Sequence, residues 1–409
     1  MTIRDQGDRR GPAHCIFPKD RTLATVETQP TGLRDLFLLQ PNVIFLNHGS
    51  FGACPRPVLE FYQRWQWEME RQPVEFLQRR SGELMRTARE SLGAFVGAAA
   101  DDLVYVTNVT TGLGLLLRWL PLNPGDEVLS TDHEYGSMEN LWFHHCERSG
   151  THYIRQALPL PFRSTEQVVE AIWSGVNERT RVLYLSHITS PTALIFPVEE
   201  LVRRARERGI LTVIDGAHAP GQIPLNLEQL GADFYLGNCH KWLMSPRGAG
   251  FLYARPEAQS LLWNGRVADA MPWRPRSLAG LGWQGTRDIS AYLAVPAAIQ
   301  FMEEHHWPQV QAECHRLACY VRREIAALTG LPPVTPEGPE WFAQMVICPL
   351  PPCDGGTLHR RLYDEFMIEV PITGYGEQRF ARVSVQGYNT LEDMNALVEA
   401  LKVLLPQLT

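Results

Sequence analysis

The chain has 409 residues and a mass of 46.3 kDa, with net charge −7 and a pI near 6.0. At 44% hydrophobic and 20% charged it is neither disordered nor collagen-like, and its length allows about two or three domains with ample core. A weakly acidic balance gives no reason to expect nucleic acid or an anionic membrane as partner. No apolar run approaches the roughly 20 residues that span a bilayer, and residues 1–22 are too charged for a secretory signal. Of the 38 basic residues only Lys19, Lys241 and Lys402 are lysines, so chemistry that needs a primary amine has three candidates. The eight cysteines are scattered without a paired C-x-x-C framework, which predicts no zinc site, no disulfide scaffold and a cytoplasmic setting.

Residues 1–30 read as a polar tail of low order, and 1–40 as a tail and lead-in segment. Residues 57–96 carry helical periodicity interrupted at Pro73. Short apolar runs then predict strands at Leu103–Thr107, Glu127–Thr131, Val182–His187, Leu211–Asp215, Phe234–Gly237 and Gly250–Tyr253. Helices are expected between them, as at Gly112–Trp119 and Val198–Gly209. Near-continuously apolar strands spaced by helices predict an α/β, doubly wound, mainly parallel sheet over residues 41–284. Residues 285–409 read as a smaller α+β domain. It has a long helical stretch at Ile289–Thr329, strands at Met345–Pro349 and Arg382–Gln386, and helices near Thr357–Phe366 and Leu391–Leu405.

In such sheets ligands sit beyond the carboxyl ends of the strands. The run Leu211–Ile214 ends in Asp215-Gly216-Ala217-His218, and the next predicted strand ends in Gly237-Asn238-Cys239-His240-Lys241-Trp242. A carboxylate and a lysine at neighbouring strand ends suit pyridoxal phosphate, the lysine forming the Schiff base and the carboxylate pairing with the pyridinium nitrogen. Singly, each is an ordinary turn Asp or surface Lys. Thr107-Asn108-Val109-Thr110-Thr111-Gly112 follows a strand and opens a helix, which makes either an anion cradle or a plain N-cap.

The order Thr-Thr-Gly, Asp-Gly-Ala-His and His-Lys resembles the class V aminotransferases of the type I pyridoxal phosphate fold. Asn47-His48-Gly49-Ser50, Asp132-His133-Glu134-Tyr135-Gly136 and His187–Ala193 resemble its isopenicillin N epimerase-like branch, over about residues 35–405. The resemblance implies Lys241 as the Schiff-base lysine, Asp215 as the pyridinium partner and His218 beside the cofactor's phenolic oxygen. It implies Thr110, Thr111, Asn238 and His240 around the phosphate, Ser190 near the phenolic oxygen, and a ring-stacking residue from Asp132–Gly136, Tyr135 in preference to His133. Gly285-Thr286 matches the segment that reaches the partner subunit's phosphate, implying a homodimer with shared sites, and Arg382 matches the arginine for the substrate α-carboxylate. Arg79 and Arg80 suit either a second substrate acid or a solvated helix face. Asn47 and His48 suit the substrate side, His48 equally a plain loop position.

Desulfurases of this family carry a nucleophilic Cys shortly before the carboxylate arginine, and Asp354–Ala381 contains none. A persulfide-forming desulfurase is therefore disfavoured. The resemblance leaves a C–S lyase acting by β-elimination, an epimerase or an aminotransferase, each using Lys241 as acid and base on an amino-acid-like small molecule. A cofactor-binding regulator is disfavoured because no added DNA-binding segment is visible in residues 1–40.

Overall fold

A computed structural model describes residues 32–262, 278–282 and 285–408. The expected tail at 1–30, with Lys19 and Cys15, lies outside the described residues. The strands are β1 (Ile44–Phe45), β2 (Leu103–Val106), β3 (Glu127–Thr131), β4 (His152–Gln156), β5 (Thr180–Ser186) and β6 (Leu211–Gly216). They continue with β7 (Phe234–Asn238), β8 (Gly250–Ala254), β9 (Met345–Leu350), β10 (Ile368–Glu369), β11 (Ile372–Tyr375) and β12 (Gln378–Ser384).

Seven strands form one sheet in the order β2-β8-β7-β6-β5-β3-β4, in which only β8 runs against its neighbours. Every residue of β2, β3, β7 and β8 is buried, as expected for apolar runs covered by helices on both faces. The covering helices show why: Val198, Leu201, Val202 and Ala205 of Val198–Glu207 face the core at helical spacing. Glu200 pairs outward with Arg203 and Arg204. Edge strand β4 was not expected, because its half-buried His-Tyr-Ile-Arg-Gln lacks the apolar run of its neighbours.

A second sheet orders β11-β12-β9, all antiparallel, and β1 pairs in parallel with β10. The helical stretch 289–329 divides into Ser290–Leu293, Val295–Glu304 and Trp307–Thr329. The last break falls at His306, whose φ of +49° is left-handed and which is followed by a proline within the first helical turn.

The segment Ile44–Ala53 joins the two sheets. Asn47 bridges to Ser384 beyond β1, a helical turn covers His48–Phe51, and Gly52 then passes against the backbone before Lys241. Gly52 has φ +70° and ψ 162°, a region open in practice to glycine alone, and an added Cβ would stand 2.0 Å from the His240 carbonyl oxygen. We expect Gly52→Ala to lower stability by roughly 2–4 kcal/mol, read as a reduced midpoint in urea unfolding. A midpoint unchanged from wild type would show that this approach carries no constraint.

Candidate active site

The strand register aligns the polar ends of the sheet. Ser186 of β5 sits opposite Asp215 of β6, and Gly216 opposite Gly237 of β7. The carboxyl ends therefore present Ser186, Asp215 and Asn238 side by side, and the chain leaving β7 reaches Lys241 three residues later. Together with Thr110, Tyr135, Ser190 and His218 these residues line one narrow cleft.

Asp215 is buried, and its carboxylate accepts from Tyr184 Oη at 3.1 Å and the Ala217 amide at 2.9 Å. Burial pushes its carboxyl above the usual range. Lys241 Nζ lies 3.1 Å from His218 Nε2. Burial, reinforced by the positive Arg382, pulls the amine down to about 7, while Asp215 opposes the shift. His218 is buried, and burial with the same cations holds its imidazole neutral.

Arg382 enters from β12 and is almost fully buried. Its Nη1 donates to the Ser190 carbonyl at 2.7 Å and to Ser190 Oγ at 3.2 Å, and its Nη2 to Ser50 Oγ at 2.9 Å. Ser50 Oγ donates to Asn47 Oδ1 at 2.5 Å, and Asn47 Nδ2 to Glu369 Oε1 at 2.9 Å. No carboxylate touches Arg382 among the described residues, and its Nε–H has no acceptor.

The Aminotransferase class-V model matches residues 55–397. An isopenicillin N epimerase of Amycolatopsis lactamdurans is 36% identical, covering 93% of this chain and 99% of that protein. The Streptomyces clavuligerus protein of that name is 35% identical, covering 91% and 97%. A probable chloroplastic L-cysteine desulfhydrase of Arabidopsis thaliana is 30% identical, covering 88% and 82%. Among solved structures, the Escherichia coli cysteine desulfurase CsdA matches at TM-score 0.78 and 20% identity, over 94% of this chain and all of that one. A C-DES mutant with glycine covalently linked to its PLP cofactor also matches at 0.78 and 20%, over 90% and 98%. The chain belongs to the class V aminotransferase family. Its fold is that of the pyridoxal phosphate-dependent neighbours, a large mostly parallel sheet with helices plus a smaller C-terminal unit.

Of the residues that the family pattern points to, Thr110, Tyr135, Ser190, Asp215, His218, Asn238 and Lys241 line the cleft together. Asn238 Oδ1 also accepts from the Val109 amide, tying the end of β7 to the start of helix Val109–Leu116. Thr111 stands one step away, its amide donating to the N-cap Asn108 and its hydroxyl accepting from Thr107. His240 turns Nδ1 to the Ala249 carbonyl at 3.2 Å.

Other residues stand elsewhere. His133 is enclosed, its ring nitrogens 2.7 Å from Thr192 Oγ1 and 2.9 Å from the Leu158 carbonyl, whereas Tyr135 borders the cleft. His48 is fully buried, donating through Nε2 to the Lys241 carbonyl and accepting through Nδ1 from Tyr388 Oη. Asn47 does not line the cleft; it is linked to Arg382 through Ser50. Arg79 and Arg80 pair with Glu75 and Glu68 on an exposed π-helical turn. Gly285 and Thr286 border a separate, apolar cavity of about 800 Å³ with Leu77, Met85 and Tyr105.

Sequence reasoning missed Glu134, Ser50 and Trp242. Glu134 is buried and accepts from Ser186 N, Ser186 Oγ and Thr131 Oγ1, which pins the Tyr135 turn to β5. Burial pushes its carboxyl up to about 8, so it is largely protonated at neutral pH. A charged residue between two predicted site positions was the available signal.

The donor set fits pyridoxal phosphate: a free amine and a buried carboxylate at adjacent strand ends, and a helix start whose Thr110 amide and hydroxyl have no partner among the described residues. In the cofactor-free chain, Lys241 titrates near 7 when folded and near 10.5 when unfolded. Between those values the unfolded chain holds the extra proton, so stability rises with pH across that window. We expect urea unfolding of Lys241→Met, without cofactor, to lose this rise relative to wild type.

Proposed function

We propose that the chain cleaves the C–S bond of cysteine or a cysteine-derived amino acid, releasing hydrogen sulfide or a thiol and, after uptake of one water, pyruvate and ammonia, with pyridoxal 5'-phosphate as cofactor. The observation that carries this reading is the half-buried Lys241 amine, its basicity lowered to about 7, beside a buried Arg382 that has no acid partner among the described residues.

Lys241 would hold the cofactor, with Asp215 at its ring nitrogen and Thr110, Thr111 and Asn238 at its phosphate. When bound, the cofactor supplies an electron sink that makes the substrate Cα–H acidic. Arg382 would take the substrate carboxylate through its planar fork, giving its Nε–H the acceptor it lacks. Lys241 Nζ then takes the Cα proton and delivers a proton to the departing sulfur. Among the described residues no cysteine lines the cleft, and Cys239 beside it is buried with its thiol pushed well up, so sulfur would leave as hydrogen sulfide or a free thiol. The desulfhydrase names among the relatives support this reading.

Epimerisation is the second reading, favoured by the names of the relatives at 35–36% identity. It needs a proton carrier besides Lys241. Tyr135 is the titratable cleft residue that makes no side-chain hydrogen bond among the described residues. We further infer a homodimer in which Gly285-Thr286 reaches the second copy's phosphate site, a large domain at 41–284, a small one at 285–409, and a cytoplasmic location. Among the described residues no helix is long and apolar enough to cross a membrane.

Purified protein given pyridoxal phosphate should show a visible absorption band that is lost in Lys241→Ala; a colourless wild type would end the reading. With cysteine conjugates the wild type should yield pyruvate. Scrambled chirality at Cα without pyruvate, abolished in Tyr135→Phe, would establish the epimerase instead. Arg382→Lys should raise KM at least tenfold, because an ammonium cannot reproduce the two-point contact.

A further inference from the structure

Trp242 follows Lys241 directly and is fully buried. An indole N–H can only donate, and this one donates to His218 Nδ1 at 3.3 Å. The other ring nitrogen, Nε2, lies 3.1 Å from Lys241 Nζ. A ring nitrogen that accepts an N–H carries no proton, so neutral His218 keeps its single proton on Nε2. That proton points at Lys241, where only the lone pair of an uncharged amine can receive it. An ammonium there would set N–H against N–H unless the ring surrendered its bond to Trp242.

We propose that Trp242 is a positioning residue whose indole fixes His218 in the Nε2–H tautomer and thereby holds Lys241 as the free base. The groups that face the amine are Asp215 at the end of β6, His218 beyond it, His240 beside it and Arg382 from β12. Asp215 favours the ammonium, while Arg382 and the Trp242–His218 pair oppose it. Trp242 is itself fixed by the joining segment: its ring lies 5.1 Å from that of His48 and packs beside Gly49. The consequence for Lys241 rests on its reading as the cofactor-holding amine; the tautomer does not.

In ¹⁵N-labelled full-length protein, a scalar coupling across the hydrogen bond should link Trp242 Nε1 to His218 Nδ1, with the imidazole proton on Nε2. A proton on Nδ1 overturns the proposal without any variant. Trp242→Phe keeps the ring and removes the donor. The pH midpoint for uptake of pyridoxal phosphate should then rise by about one unit, a tenfold change in the amine's protonation constant. A merely structural role would lower the melting temperature and leave that midpoint in place, which also overturns the proposal. If wild-type protein takes up no pyridoxal phosphate, the cofactor reading fails and the coupling alone decides the tautomer.

Discussion

Two basic side chains lie close enough to feel each other's charge, with too little negative charge to balance both. Arg382 is nearly buried, spends its donors on a carbonyl and two hydroxyls, and leaves Nε–H unmatched. Lys241 lies within its field, and the carboxylate that would balance them, Asp215, is already engaged by Tyr184 and the Ala217 amide. Burying charge without a partner costs several kcal/mol, and the protein meets that cost in two ways. It keeps the amine close to neutral, and it leaves the guanidinium ready for an anion from outside. The unmatched guanidinium and the lowered basicity of the amine thus have one electrostatic origin.

Keeping those two cations together requires the two sheets to stay in register. Lys241 follows β7 of the first sheet, Arg382 lies on β12 of the second, and the segment Ile44–Ala53 contacts both, through a bridge to Ser384 and through the backbone at His240 and Lys241. It pairs with β10, bridges to Ser384, supplies Ser50 to Arg382, and lays His48 and Gly52 against the backbone around Lys241. A short loop therefore sets the distance between the amine and the guanidinium. His48, one candidate for the substrate side, fastens the Lys241 carbonyl to Tyr388.

Much of this was legible in the sequence, because a parallel sheet exposes its chemistry where apolar runs stop. Asp215, Asn238 and Lys241 each follow such a run, and Thr110 opens the helix after another, so strand prediction alone placed them on one edge. The residues that tune them left no such mark. Trp242 and Ser50 look like an ordinary core aromatic and a loop serine, and Glu134 is conspicuous only as a carboxylate that no cation accompanies. Their roles depend on which strands are neighbours, and the order β7-β6-β5-β3 is a tertiary fact. Strand β4 was missed for a related reason: an edge strand needs no continuous apolar run, so periodicity had little to detect.

The same geometry bears on what becomes of the substrate. Elimination and epimerisation begin with loss of the same proton and part only when the next proton arrives. One amine lines the cleft, and the mobile protons nearest it belong to His218 and to Lys241 itself. Asp215 is committed to its donors, and Glu134, though protonated, is locked to Ser186 and Thr131 behind the Tyr135 turn. A proton returned from the side that lost it restores the original configuration, so a single amine favours departure of a good leaving group at Cβ. Among the described residues Tyr135, half-exposed at the border of the cleft and without a side-chain hydrogen bond, is the titratable group placed to deliver from elsewhere. The choice of reaction therefore narrows to the phenol of Tyr135 and to whether the substrate brings a sulfur that can leave.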